Sequence, residues 1–221
     1  MTDLAIVIVS YNARADLEAC LASLANQPPT TSHKIVVVDN ASSDGSPAAV
    51  RANWPQVTVI DAGGNLGFAR ATNLGIRATQ SHLLCLLNSD TLVPSGAIDH
   101  LVEVLRTRTD VAVVGPRLVD AHGALEVSFG SMISPVAELW QKCLVRGHAR
   151  QVPVLAHLVE RRARVERRVD WVSGACLLAR RAQTEAAGLL DERFFLYAED
   201  VDFCAKYANR AGRFSSPPLS R

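Results

Sequence analysis

The most constraining feature of this chain is the alternation of short, uninterrupted apolar runs with segments of helical period. Leu4-Ala-Ile-Val-Ile-Val9 is apolar at every position. A strand with one face in water would alternate, so this run predicts a strand buried on both faces, as in a parallel sheet. Residues 14–25 place Leu17, Leu21 and Leu24 on one helical face, and Pro28-Pro29 ends that helix. A second run, Ile35-Val-Val-Val38, ends at Asp39. The turn-forming Ala41-Ser-Ser-Asp-Gly-Ser46 then leads into a helix over 47–53. The same reading predicts strands over 57–60, 83–87 and 111–114 and helices over 68–78 and 94–108. Strands that alternate with helices imply right-handed crossovers, hence an α/β fold with a mostly parallel sheet and helices on both faces. Further on, 171–179 is strand-like and 199–210 helical, with Val201, Cys204, Ala205 and Ala208 on one stripe. The intervening 127–169 loses the pattern, is broken at Ser134-Pro135 and carries seven arginines between Arg146 and Arg168. It predicts a mobile connection with a helical portion.

In open α/β sheets ligands bind beyond the carboxyl ends of the strands. Ser10-Tyr-Asn12, Asp39-Asn40 and Asn88-Ser-Asp90 each follow a strand run, so they are expected to converge on that edge. A carboxylate at Asp90, just past a buried strand, can hold Mn2+ or Mg2+ over a diphosphate, because both cations favour oxygen ligands and share phosphate oxygens. Asn88 points to the same side of an extended segment and can add a carbonyl ligand or a sugar hydrogen bond. The Asn-Ser-Asp-Thr stretch equally suits a simple turn cap. Asp39 can accept the N3 hydrogen of a pyrimidine, or can form a turn with Asn40 and Ser42. In Gly63-Gly-Asn-Leu-Gly-Phe-Ala-Arg-Ala-Thr-Asn73 the glycines permit close backbone approach, and Arg70 and Asn73 share a helix face. This segment does not match G-x-G-x-x-G, which weighs against a dinucleotide-dependent oxidoreductase. Phe194-Phe-Leu-Tyr-Ala-Glu-Asp-Val-Asp202 sets aromatics before three acids at a helix start. The helix dipole favours acids there for structural reasons, and one of them could serve as a general base.

Hydrophobic residues make up 48% of the 221 and charged residues 20%, as in a folded single core. With 23 Lys+Arg against 22 Asp+Glu the chain has no global field to attract nucleic acid. The arginine-rich stretch has no aromatic residue to interleave with bases, so no nucleic-acid partner is expected. That stretch reads either as a solvated face or as a peripheral contact with anionic membrane headgroups. The five cysteines (Cys20, Cys85, Cys143, Cys176, Cys204) never stand two apart and read as buried thiols of a reducing cytosol. Leu4–Val9 is too short for a signal or a membrane span. The expected location is cytoplasmic, with contact at the inner face of the cell membrane as a further option.

In order along the chain, IVIVSYN, VVVDNASSDGS, GGNLGFARATNLGI, LLNSDT, WVSGACLLARR and GLLDERFFLYAEDVDFC resemble family 2 glycosyltransferases of the Rossmann-like GT-A fold, in the rhamnosyltransferase-like branch. The resemblance spans roughly Leu4 to Lys206. It implies that Ser10, Asn12, Asp39 and Arg70, with Asn73 beside Arg70, help bind the nucleotide sugar, and that Asp90 meets metal and diphosphate. Asn88 takes the first position of the family's D-x-D element. By the same resemblance Asp200, paired with Glu199, would be the general base of an inverting displacement. Trp171 and Gly174 would lie beside sugar and acceptor, although Trp171 equally suits core packing. The implied donor is a dTDP- or UDP-sugar, with rhamnose favoured, and the implied acceptor a growing polysaccharide or a lipid-linked glycan, as in cell wall or polysaccharide biosynthesis. Relatives usually continue past R-A-G-W into a strand and a metal-binding histidine. Here Arg210-Ala-Gly-Arg-Phe214 enters a Ser/Pro stretch, and no histidine follows His157. The expectation is therefore one C-terminally short domain over 1–214 and a disordered tail over 215–221. Two other readings are a non-catalytic nucleotide-sugar-binding remnant and a nucleotidyltransferase, which would release pyrophosphate and would not need Asp200.

Overall fold

A computed structural model describes residues 2–120, 125–126, 129–130, 168–208 and 213–215. In chain order these form β1 (Leu4–Ser10), α1 (Arg14–Asn26), β2 (His33–Asp39), α2 (Ser46–Asn53), β3 (Thr58–Asp61), α3 (Phe68–Arg77), β4 (Leu83–Asn88), α4 (Ala97–Thr107) and β5 (Val111–Val114). Short strands follow: β6 (Leu118–Val119), β7 (Leu125–Glu126), β8 (Phe129–Gly130), β9 (Arg168–Val169) and β10 (Trp171–Val172). Then come β11 (Cys176–Arg180), α5 (Arg181–Ala186), α6 (Glu199–Ala208) and β12 (Arg213–Ser215). The main sheet has the order β3-β2-β1-β4-β11-β5-β12-β9. Strands β3, β2, β1 and β4 run parallel, whereas β11 is antiparallel to both β4 and β5. The sheet is therefore mixed, mostly parallel and Rossmann-like on its N-terminal side.

The apolar runs explain the layering. Leu4, Ile6 and Ile8 of β1 pack on one face with Leu17, Leu21 and Leu24 of α1 and Leu101 and Leu105 of α4. Ala5 and Val7 point to the other face, against Ala69 and Ile76 of α3 and Phe203 and Cys204 of α6. All five strand residues are at most 2% exposed, which is why the run shows no polar alternation. Cys20, Cys85, Cys176 and Cys204 are buried free thiols; Cys143 lies outside the described residues.

Four features differ from the sequence reading. The helix expected from residue 94 starts at Ala97, because Gly96 takes a left-handed φ of 71° and the preceding turn closes through Ala97 N–H to the Pro94 carbonyl at 3.2 Å. The strand expected over 171–179 splits at Ser173–Ala175, where backbone groups turn toward the site. The buried stripe of α6 is carried by Phe203 and Cys204, while Val201 and Ala205 are half-buried. Arg213–Ser215 pairs in parallel with β5, so the sheet takes the first residue of the segment read as a tail. Most of 127–169 and all of 216–221 lie outside the described residues.

Gly75 marks the tightest helix-to-sheet approach. A Cβ there would stand 2.5 Å from Val7 Cγ1 and 3.0 Å from Val38 Cγ2. Gly75→Ala gains helix propensity yet overpacks the interface, so it is expected to cost about 1–2 kcal/mol net. A urea titration giving equal or greater stability for the variant would refute this packing.

Candidate active site

Register delivers the polar edge. Ser10 stands opposite Asp39, and Val9 opposite Asn88, so the three strands end together. Ser10 is 1% and Asp39 4% exposed. Asp39 Oδ2 accepts the Ser42 N–H at 3.2 Å, whereas Asp39 Oδ1 and Ser10 Oγ have no hydrogen-bond partner. Two adjacent orphaned polar atoms at a strand edge are costly unless a ligand meets them, at about 1–3 kcal/mol each. Asn12 ties the loop after β1 to the loop after β2: its N–H donates to Ser42 Oγ at 2.9 Å and its Oδ1 accepts the Ser43 N–H at 2.8 Å. Asn40, read from sequence only as a turn residue, pins the glycine-rich segment through Asn65 Oδ1 and the Leu66 N–H.

A two-residue backbone bridge joins this edge to the acids of α6. The Asn88 N–H donates to the Ala175 carbonyl at 3.0 Å, which also accepts Thr91 Oγ1 at 3.3 Å. The neighbouring Gly174 N–H donates to Asp200 Oδ2 at 3.0 Å, and the Val201 N–H to Asp200 Oδ1 at 2.8 Å. The break in the 171–179 strand thus exposes backbone groups that place Asp200 beside the end of β4. Glu199 is buried, its Oε2 unpartnered, and burial followed by the adjacent Asp200 charge pushes its carboxyl above the ordinary value. Trp171 is half-buried in β10 and packs at the margin of the α3–α6 core.

On α3, Arg70 is exposed, and its Nε donates to the Glu192 carbonyl at 3.3 Å. Asn73, expected beside Arg70 at the nucleotide sugar, faces the protein interior in this structure. It is 1% exposed, and its amide is consumed by the Leu190 carbonyl at 2.9 Å, the Leu190 N–H at 3.1 Å and Glu192 Oε1 at 3.0 Å. Its work is to fasten α3 to the segment before α6. Glu192, which the sequence reading passed over, also takes both terminal nitrogens of Arg77 at 3.0 Å. The one sequence signal for it was the Arg70, Asn73, Arg77 spacing on a single helix face.

Asp90 is exposed, two residues past the end of β4, and its carboxylate makes no hydrogen bond or ion pair among the described residues. Such a free oxygen donor fits a hard cation. No cluster of three or more His, Cys, Asp or Glu that could hold a metal occurs among the described residues, so phosphate and water oxygens would have to complete the shell.

The family model for glycosyl transferase family 2 matches residues 5–140. The chain belongs to that family. It is 33% identical over 216 residues to an N-acetylglucosaminyl-diphospho-decaprenol L-rhamnosyltransferase of Mycobacterium tuberculosis, covering 91% of this chain and 69% of the relative. It is 26% identical to a low-salt glycan biosynthesis hexosyltransferase of Haloferax volcanii, covering 92% and 61%. The first of these relatives places it in the rhamnosyltransferase-like branch. Among solved structures, the mannosyltransferase PcManGT of Pyrobaculum calidifontis, in complex with GDP-Man and Mn2+, superposes with a TM-score of 0.67 at 21% identity. S. aureus TarS does so at 0.67 and 16%. The family 2 chain spans 55% and 57% of those two chains, and the likeness establishes the GT-A fold. No helix among the described residues is long and apolar enough to cross a membrane.

The raised Glu199 carboxyl yields a signed expectation. The folded state holds this proton more tightly than the unfolded chain does, so its contribution is present below the ordinary value of 4.5 and lost as pH rises through the folded value. Glu199→Gln should therefore gain stability relative to the parent as pH rises from below 4.5 to neutrality. A urea-midpoint difference that stays constant with pH would show that ionising Glu199 carries no penalty.

Proposed function

We propose that this chain is an inverting, metal-assisted glycosyltransferase. It moves a sugar from a nucleoside diphosphate donor to a polysaccharide or lipid-linked acceptor at the cytoplasmic face of a membrane. The observation that carries the reading is the backbone bridge from Asn88 through Ala175 and Gly174 to Asp200, which brings a fixed carboxylate to the strand edge where Asp39 and Asp90 stand. The relative that acts on a decaprenol-linked acceptor supports a lipid-linked glycan as acceptor and rhamnose as the sugar. The neighbour that holds GDP-Man and Mn2+ supports a nucleotide-sugar donor and a divalent ion.

In this reading Asp39 Oδ1 accepts the imide hydrogen of a pyrimidine base and Ser10 Oγ meets the same ring, which satisfies both orphaned atoms. Asp90, with Asn88 nearby, would hold Mn2+ or Mg2+ against the diphosphate. A bound divalent cation there supplies charge neutralisation for the departing diphosphate. Arg70 adds positive charge from the first turn of α3. Asp200 takes the proton of the acceptor hydroxyl as that oxygen bonds to the anomeric carbon. The bond from that carbon to the diphosphate oxygen breaks on the opposite face, so configuration inverts. Trp171 and Gly174 flank the space between donor and base. A nucleotidyltransferase reading has no such use for Asp200.

Two variants separate these roles. Asp200→Asn should retain metal-dependent nucleotide binding while transfer falls by about 10²–10⁴-fold, the usual share of a general base. Parental transfer by this variant would remove Asp200 from the mechanism. Asp90→Ala should abolish the manganese dependence of dTDP or UDP binding measured by calorimetry, and an unchanged dependence would move the cation elsewhere. Metal-dependent binding by the parent without any turnover would leave it a binding protein rather than an enzyme.

A further inference from the structure

Three side chains on one face of α3, Arg70, Asn73 and Arg77, converge on Glu192, more than one hundred residues later in the chain. Glu192 Oε1 accepts from Asn73 Nδ2 and from Arg77 Nη1 and Nη2, all at 3.0 Å, and its carbonyl takes Arg70 Nε at 3.3 Å. The Asn73 hydrogen bond first, then Arg77, hold its carboxyl below the ordinary range. A second tether lies at the helix start, where the Phe68 N–H donates to the Phe195 carbonyl at 2.7 Å. Gly67 leaves no room for a side chain there, since a Cβ would stand 2.6 Å from that carbonyl. The segment between these tethers and α6 includes Tyr197 and Ala198, both at a left-handed φ of 68°. Two consecutive non-glycine residues in that region persist only where the surroundings hold them.

We propose that Glu192 is a positioning residue that sets the base-bearing segment in register with the donor-binding helix. It acts through α3 on Asp200 and does not itself touch substrate. Ser10 and Asp39 end β1 and β2, and Asp90 follows β4; none of these donor residues bonds to Glu192. Of the donor contacts Arg70 alone touches it, through the Glu192 main-chain carbonyl at 3.3 Å, which a side-chain substitution leaves in place, and through a looser ion pair at 3.9 Å. Asp200 sits eight residues beyond it, at the far end of the strained loop. This inference rests on the transferase reading for its catalytic consequence and on geometry alone for its structural one.

The experiment measures both in the full chain. Exchange of the Gly174 amide, which donates to Asp200, is followed by NMR in the parent, Glu192→Ala and Glu192→Gln, with the Val36–Val38 amides as core controls. Glu192→Ala should speed Gly174 exchange by about tenfold with the core amides unmoved, as for a local opening. Glu192→Gln keeps an Oε1 acceptor for Asn73 and Arg77 and should return to within about threefold of the parent. In transfer assays Glu192→Ala should lose about tenfold in kcat while the Kd for the nucleoside diphosphate with Mn2+ stays within about threefold. Unchanged Gly174 exchange, core amides moving in step with it, failure of Glu192→Gln to rescue, or a Kd that rises about as much as kcat falls would each overturn the proposal. If Glu192→Ala does not fold, Arg77→Ala, which alters an exposed side chain, should shift Gly174 in the same direction and overturns the proposal if it does not. A parent that transfers no sugar would sink the transferase reading, and the exchange result would still decide the role of Glu192.

Discussion

The site hangs on the register of the central strand. β1 is flanked by parallel β2 and β4, and because parallel neighbours in register end together, the residues after each apolar run arrive at one edge. That register is set by packing well away from the edge. Leu4, Ile6 and Ile8 fill one layer and Ala5 and Val7 the other, so a one-residue slip would drive large side chains into the close α3 interface at Gly75. The polar residues therefore need no favourable interactions of their own to be brought together. Ser10 Oγ and Asp39 Oδ1 can remain unpartnered because the apolar layers sustain the geometry around them.

Neighbouring acids at the start of α6 meet different fates for the same reason. Asp200 accepts the Gly174 and Val201 N–H groups on its two carboxylate oxygens, whereas Glu199, one residue away, turns into the protein and leaves an oxygen unpartnered. Glu199 is desolvated, which pushes its carboxyl above the ordinary value, while Asp200 is half-buried and hydrogen-bonded to the backbone. The backbone at Gly174 makes the difference, and it is available only because β10 and β11 are separated by a turn rather than joined into one strand.

Much of this was legible in the sequence wherever the signal was local. The runs at Leu4, Ile35 and Leu83 announced buried parallel strands, and the residues after them, Ser10, Asp39 and Asn88, were placed on one edge by topology alone. What stayed hidden depended on contacts between distant segments. Nothing near 171–179 marks β11 as antiparallel to β4, because that strand is apolar on both faces like its parallel neighbours. The buried role of Asn73 required knowing that Leu190 and Glu192 pack beside it, and helical spacing gives only the face, never what lies opposite. The Ser173–Ala175 turn was missed for the converse reason: its flanks are good strand formers, and tertiary hydrogen bonds to Asn88 and Asp200 override local preference.

The poverty of protein ligands around Asp90 has a consequence for how this edge would work. A hard divalent cation wants about six oxygens, and a single exposed carboxylate in high dielectric supplies little attraction by itself. Among the described residues no group of three or more His, Cys, Asp or Glu stands ready to hold a metal. Most of the coordination would then come from the diphosphate, so cation and donor would each be weak guests alone and strong ones together. In the proposed arrangement, selectivity would reside in nucleotide contacts at Asp39 and Ser10 rather than in the metal. On the proposed reading, Asn88 could then stand where the resemblance would lead one to expect an acid: with a diphosphate supplying negative oxygens, a neutral carbonyl would add a ligand without adding repulsion.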